Sequence, residues 1–169
     1  MKLLGERLGV VEHFCPFAEQ VNPILYSMIL DLPNDPDHPD NVSGKMTTRD
    51  LFKYEEMNGF IAWITDILTN EFGKGGATHW SFPYDMRCRE LWGVHYKKGD
   101  YITDHSHSPF LYAFSYYVKA PKGSPPLIFS TSGHRIKAET GKLVLFEGRL
   151  AHRVPKSKVN DRCIIGGCY

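Results

Sequence analysis

The chain has 169 residues, with 20 basic against 19 acidic side chains for a formal net charge of +1, and it is 42% hydrophobic and 13% aromatic. These values describe an ordinary soluble domain that can bury a sizeable core without disulfides, and they argue against nucleic acid or another long polyelectrolyte as partner. No apolar run is long enough to span a bilayer and charges interrupt the N-terminal MKLLGERLGVVEH, so neither a membrane span nor a secretory signal is expected and a cytoplasmic location is.

Residues 1–90 carry 8 basic and 14 acidic side chains and residues 91–169 carry 12 and 5, so the second half is the cationic one. It can host an anion, or the two halves offset each other in space. The cysteines Cys15, Cys88, Cys163 and Cys168 form no C-x-x-C pair and read as buried thiols.

The first half reads as helical. Asn22-Pro23 has the form of an N-cap followed by proline at the first helical position, and Ile24, Leu25, Met28 and Ile29 recur at helix spacing up to Leu32-Pro33. The proline- and aspartate-rich stretch 34–41 reads as an exposed loop, with His38 solvated. Thr47-x-x-Asp50 resembles a capping arrangement ahead of Leu51. Phe60, Ile61, Ile64, Ile67, Leu68 and Phe72 then form an apolar helical stripe, closed by Gly73.

The segment from Asn70 to Arg89 is glycine-rich and aromatic and is long enough to lie over a cavity mouth, where His79, Arg87 and Arg89 can line a substrate loop. From Trp80 the helix period is gone. Strands are predicted over Leu91–Tyr96, Tyr101–His107, Phe110–Val118, Pro126–Phe129, His134–Ala138, Lys142–Phe146, His152–Val154 and Arg162–Cys168. Turn signals around Gly99, Gly123 and Gly141 separate them, as antiparallel connections require. Eight short strands after helices suggest a mainly β sandwich or jelly roll. The expected organisation is one domain over 1–169: helical support over 1–75, a mouth loop over 76–90 and a jelly-roll core over 91–169.

Three histidines stand out in the β-rich half. His105 and His107 are two apart, so on one strand both project from the same face, and His152 would join them from a facing strand. Three imidazoles on one face leave open positions on a metal, as a catalytic site needs. Arg162 lies on the next predicted strand, and its guanidinium fork can hold a carboxylate whose other end chelates the metal. Among the other histidines, His95 reads as a packed or edge residue, while His13 and His134 carry no usable pattern.

The run Tyr96-Lys-Lys-Gly-Asp-Tyr-Ile-Thr-Asp-His105-Ser-His107 resembles the metal-binding strand of the Fe(II)/2-oxoglutarate-dependent dioxygenases, in particular their small prolyl-hydroxylase-like, phage-type branch. Phe114-Ser-Tyr-Tyr117-Val is similar to that family's aromatic strand, and Gly141-Lys-Leu-Val-Leu-Phe146 to the glycine-led strand before its distal histidine. The resemblance covers about residues 91–168. It implies a double-stranded β-helix, with His105, His107 and His152 as catalytic ligands of Fe(II). It also implies Arg162 on the distal carboxylate of 2-oxoglutarate, helped by Tyr117, and Tyr96 beside the cosubstrate. The implied activity is O2-dependent hydroxylation of a C–H bond in a small molecule or peptide, with peptidyl proline or an amino acid favoured by analogy.

His107 departs from the family's commoner H-x-D or H-x-E pattern. Three neutral imidazoles leave a divalent site at +2, where a carboxylate would leave +1. Asp104 alternates with His105 and is expected to point to the opposite face. Two other readings stay open at this stage: a non-catalytic binding module on the same scaffold, and a cupin-like three-histidine iron dioxygenase that needs no 2-oxoglutarate. Oligomeric state is not readable from the sequence.

Overall fold

The protein is described here by a computed structural model over residues 9–72 and 86–169. Its elements in chain order are β1 (Val10–Phe14), α1 (Ala18–Asp31), β2 (Lys45–Met46), α2 (Asn58–Phe72), β3 (Glu90–Tyr96), β4 (Ile102–His105) and β5 (Tyr112–Lys119). There follow β6 (Leu127–Phe129), β7 (Arg135–Ile136), β8 (Lys142–Glu147), β9 (His152–Val154) and β10 (Arg162–Cys168). A six-stranded sheet in the order β1-β8-β5-β10-β3-β2 faces a four-stranded sheet in the order β4-β9-β6-β7, and the observed pairings are antiparallel. The eight predicted strands are β3 to β10, four in each sheet, which is the double-stranded β-helix arrangement.

The inner strands β5, β8 and β10 of the large sheet are buried on both faces, which is why they read as near-continuous apolar runs. Along β8, Leu143 and Leu145 pack on the helix side, while Val144 and Phe146 point between the sheets. Along β10, Cys163 and Ile165 face the helices and Ile164 faces the second sheet. The helix-side core takes Leu25 and Ile29 from α1 and Phe60, Ile64 and Leu68 from α2, the predicted stripe. Helix α1 lies close on β3, where a Cβ added at Gly93 would come within 2.4 Å of the Ile29 side chain. Only glycine leaves room for that approach.

Several expectations need correcting. Helix α1 begins at Ala18, so Pro23 lies inside it, and Asn22 Oδ1 accepts a hydrogen bond from the Tyr116 hydroxyl at 2.7 Å instead of capping. Thr47 is no cap either, since its hydroxyl oxygen accepts the Gly93 N–H at 2.9 Å. Leu51–Lys53 and Glu55–Met57 are single 3₁₀ turns before α2. The first half also holds strands, β1 on the outer edge of β8 and β2 on β3, which short length and mixed composition hid. His38 is not free in solvent, because its Nε2 bonds the Gly44 carbonyl at 2.7 Å.

Cys15, Cys163 and Cys168 are buried thiols and Cys88 is half-buried, with no disulfide among the described residues. Gly73, His79 and most of the predicted mouth loop lie outside the described residues. Among the described residues no helix is long and apolar enough to cross a membrane.

Candidate active site

Between the two sheets lies a cavity of about 330 Å³ whose walls include Tyr96, His105, His107, Phe146, His152, Arg162 and Ile164. His105 and His152 are direct cross-strand partners of β4 and β9, so the pairing register places their rings together, with centroids 4.3 Å apart. His107 arrives differently from its expected route. Strand β4 ends at His105, and His107 sits in the following turn, held by its backbone N–H to the Gly148 carbonyl at 2.7 Å. Gly148 allows this close passage of two backbones, since a Cβ there would lie 2.1 Å from the Phe110 carbonyl oxygen.

The His107 ring stands 5.0 Å from each of the other two rings, and one potential ligand atom from each histidine lies within 4.8 Å of the others. Backbone carbonyls orient two of these rings. His105 Nδ1 lies 3.0 Å from the Thr103 oxygen and His152 Nδ1 lies 2.8 Å from the Leu150 oxygen. A carbonyl only accepts, so each Nδ1 carries the proton and each Nε2 keeps a free lone pair, the usual way a metal-binding imidazole is oriented. Asp104 stays out of the trio, as its alternation with His105 requires: its carboxylate takes the Ser130 hydroxyl and Arg153.

Burial holds these rings neutral. It lowers His105, pushes His152 down to about 4 with His105 adding to the effect, and pushes His107 down to about 3 with repulsion from His152 and His105 adding. An unfolded histidine titrates near 6.5, so acid protonates the unfolded chain first, and stability falls as pH drops from about 6.5 toward these folded values. For metal-free protein at pH 5.5 the expected loss is about 1 kcal/mol for each of His107 and His152. Chemical denaturation from pH 7.5 to 5 checks this: a His107→Gln, His152→Gln double variant should show a distinctly shallower pH slope, and an unchanged slope would refute it.

Another part of the cavity wall is built by β3, β5 and β10. Arg162 pairs with Tyr96 in the register of β10 and β3, and its side chain is 1% exposed. The guanidinium lies 4.5 Å from the Tyr96 ring centroid and 5.5 Å from that of Tyr117. Arg162 Nε and Nη1 and the hydroxyls of Tyr96 and Tyr117 are all buried without a hydrogen-bond partner. Burial pushes the Tyr96 phenol up to about 12 and raises Tyr117, with Arg162 pulling each the other way, so both are neutral donors at pH 7.

The third region is the side toward Trp92, whose ring lies 5.6 Å from that of His107. There Arg49 Nη1 lies 3.9 Å from Glu90 Oε2, and both side chains line the cavity. Pro39 and Asn41, from the stretch expected to be a plain exposed loop, and Val42 just after it complete the wall, with Val42 bridging Ile102. Sequence reasoning missed all of these. Trp92 alternates with Val94 and Tyr96, which is a readable signal, whereas nothing local marks Arg49 or the 39–42 wall.

Five of the six expected residues, Tyr96, His105, His107, His152 and Arg162, line one cavity, and Tyr117 lies beside Arg162, its ring centroid 5.5 Å from the guanidinium. No family model matches the sequence, and no curated protein matches it. The fold does have relatives among solved structures. A prolyl-4-hydroxylase from Pseudomonas putida matches with a TM-score of 0.73 at 17% identity, over 95% of this chain and 91% of that one. The viral collagen prolyl hydroxylase of Paramecium Bursaria Chlorella virus-1, in complex with 2-oxoglutarate, matches with a TM-score of 0.72 at 14% identity over 94% of each chain. A Trichoplax adhaerens prolyl hydroxylase in complex with a hypoxia inducible factor peptide matches with a TM-score of 0.65 at 12% identity, over 95% of this chain and 83% of that one. At these identities the likeness is one of fold: the chain has the double-stranded β-helix of these prolyl hydroxylases.

Proposed function

We propose that the protein is an Fe(II)- and 2-oxoglutarate-dependent dioxygenase that hydroxylates a C–H bond. The observation that carries this is the buried Arg162 guanidinium, with two unused donor atoms, in the wall of the cavity that holds the three imidazoles, beside the unpartnered hydroxyls of Tyr96 in the same wall and of the neighbouring Tyr117. A buried cation and two buried phenols without partners are costly unless a ligand satisfies them. A planar carboxylate matches the fork of the guanidinium and accepts from both phenols. The histidine lone pairs suit a divalent first-row metal, and the remaining coordination positions are left for a chelating ligand.

His105, His107 and His152 would hold Fe(II), and Arg162, Tyr117 and Tyr96 the distal carboxylate of the cosubstrate. With O2, the bound iron and 2-oxoglutarate supply the oxidation, in which C–H becomes C–OH and the cosubstrate leaves as succinate and carbon dioxide. The protein's part is positioning. Carbonyls from Thr103 and Leu150 fix two rings, Phe129, Phe146 and Ile164 keep the interior apolar, and Arg162 orients the dianion. The compared structures are named for action on prolyl residues, and one holds a peptide. That supports a peptidyl or amino-acid substrate, received on the Trp92, Arg49 and Glu90 side of the cavity.

Anaerobic absorption spectroscopy tests the proposal. Protein with Fe(II) should develop a visible charge-transfer band when 2-oxoglutarate is added. Iron binding without a band would overturn the 2-oxoglutarate reading in favour of a three-histidine dioxygenase of cupin type. No iron binding would leave a binding module on the same scaffold.

A further inference from the structure

The residue just before the cosubstrate arginine is Asp161, and among the described residues it is the one non-glycine with positive φ, at 65°. Aspartate and asparagine tolerate this left-handed conformation better than other side chains. The conformation falls where the chain enters β10. Beyond it, Arg162, Ile164 and Gly166 line the cavity, while Cys163 and Ile165 belong to the helix-side core. The pairing of β10 with β5 also shifts register between Cys163 and Ile164. A slip of one residue at this entry would turn Arg162 out of the cavity.

Three donors from three other elements hold the Asp161 carboxylate. The Tyr26 hydroxyl of α1 donates to Oδ1 at 2.6 Å, His95 Nε2 of β3 lies 3.0 Å from the same oxygen, and the Lys119 ammonium of β5 binds Oδ2. Lys119 also sits 4.7 Å from the Tyr26 ring centroid. Burial alone would raise the Asp161 carboxyl, but these hydrogen bonds hold it at about 2. The arrangement has a second effect. Asp161 is the carboxylate nearest in sequence to Arg162, yet its oxygens are taken by Tyr26, His95 and Lys119, and Arg162 Nε and Nη1 remain unpaired.

We propose that Asp161 is a positioning residue for cosubstrate binding: anchored by Tyr26, His95 and Lys119, it sets the register that aims Arg162 into the cavity and keeps its own carboxylate from neutralising that guanidinium. It touches neither iron nor cosubstrate. The inference rests on the 2-oxoglutarate reading above.

The test is anaerobic titration of 2-oxoglutarate into the full-length Fe(II)-loaded protein, followed by the visible band, for wild type, Asp161→Gly, Asp161→Asn and Lys119→Met. Glycine keeps the positive φ and removes the anchors; asparagine keeps φ and part of the hydrogen bonding. Lys119 is half-exposed, so its replacement leaves the fold intact and frees the Asp161 charge. Asp161→Gly is expected to weaken 2-oxoglutarate binding about tenfold or more, the scale seen for groups that orient a binding side chain, with Fe(II) affinity unchanged. Asp161→Asn should recover part of the loss, and Lys119→Met should weaken binding in the same direction. If Lys119→Met and every folded Asp161 variant bind 2-oxoglutarate as wild type does, the proposal is overturned, even where melting temperature falls, since a merely structural role predicts that outcome. A wild type with iron but no band refutes the underlying 2-oxoglutarate reading instead, so the two failures are distinguishable.

Discussion

Replacing Arg162 with methionine is expected to weaken 2-oxoglutarate binding by about 30-fold or more while leaving the metal-free protein as stable as wild type or more so. The two halves of this result have one cause. Arg162 is 1% exposed, and its Nε and Nη1 have no partner in the folded protein. Each such buried donor costs about 1–3 kcal/mol, against which the stacking of the guanidinium on Tyr96 and Tyr117 returns about 2 kcal/mol. Methionine has comparable length, packs between the same rings and brings no charge, so the exchange is expected to be neutral or stabilising by about 1–4 kcal/mol. On the proposed role of Arg162, the cosubstrate would lose its charge partner and its hydrogen-bond fork. Urea denaturation of the metal-free variant and titration of the charge-transfer band measure the two quantities separately. Arg162→Lys should fall between, because a point charge cannot reproduce bidentate geometry. A variant that binds 2-oxoglutarate normally would remove Arg162 from the site, and a strongly destabilised one would show that the arginine is there to hold the fold.

Replacing His152 with alanine is expected to lower Fe(II) affinity by at least about 100-fold, more than loss of a supporting partner costs. His152 is 4% exposed, its Nδ1 is anchored to the Leu150 carbonyl, and it stands opposite His105 in the β4 and β9 register. No other described histidine, cysteine or carboxylate joins the cluster to replace it. His107→Asp should behave differently. His107 sits in a turn rather than on β4, and its N–H contact with Gly148 involves only backbone, so the exchange leaves its placement intact. A carboxylate there lowers the charge of the divalent site from +2 to +1, and iron should be retained. Equilibrium dialysis with anaerobic Fe(II) checks both. Retained iron in His152→Ala would mean that the metal lies elsewhere, and full affinity in His107→Ala would mean that two histidines suffice.

The strands of the jelly roll were legible because they obey local rules. In β8 and β10, apolar and β-branched residues run between turn segments, and the observed bounds of β9 and β10 match the expected ones. The stripe of α2 was legible for the same reason, since its buried residues Phe60, Ile64 and Leu68 fall at helical spacing. Where tertiary contacts override local preference the reading failed. Pro23 is absorbed into α1 because Val21, Leu25 and Ile29 bury on one face of the continuous helix and Asn22 is needed by Tyr116. β1 exists because it covers the exposed edge of β8, a partner more than a hundred residues away.

The sequence by itself determined which chemistry is available: three imidazoles, a guanidinium and two phenols, carried on or just beside segments whose apolar and aromatic composition marks them as strands. Their composition and spacing are local properties of the chain, and local properties survive in one dimension. Only the tertiary structure decided that His105 meets His152 across a strand pair, that His107 enters from a turn, and that the Asp161 carboxylate is held by Tyr26, His95 and Lys119 while Arg162 Nε and Nη1 have no partner. Strand register, burial and the choice of partner for each charge depend on contacts between segments far apart in the chain, and such contacts exist only once the sheets have closed.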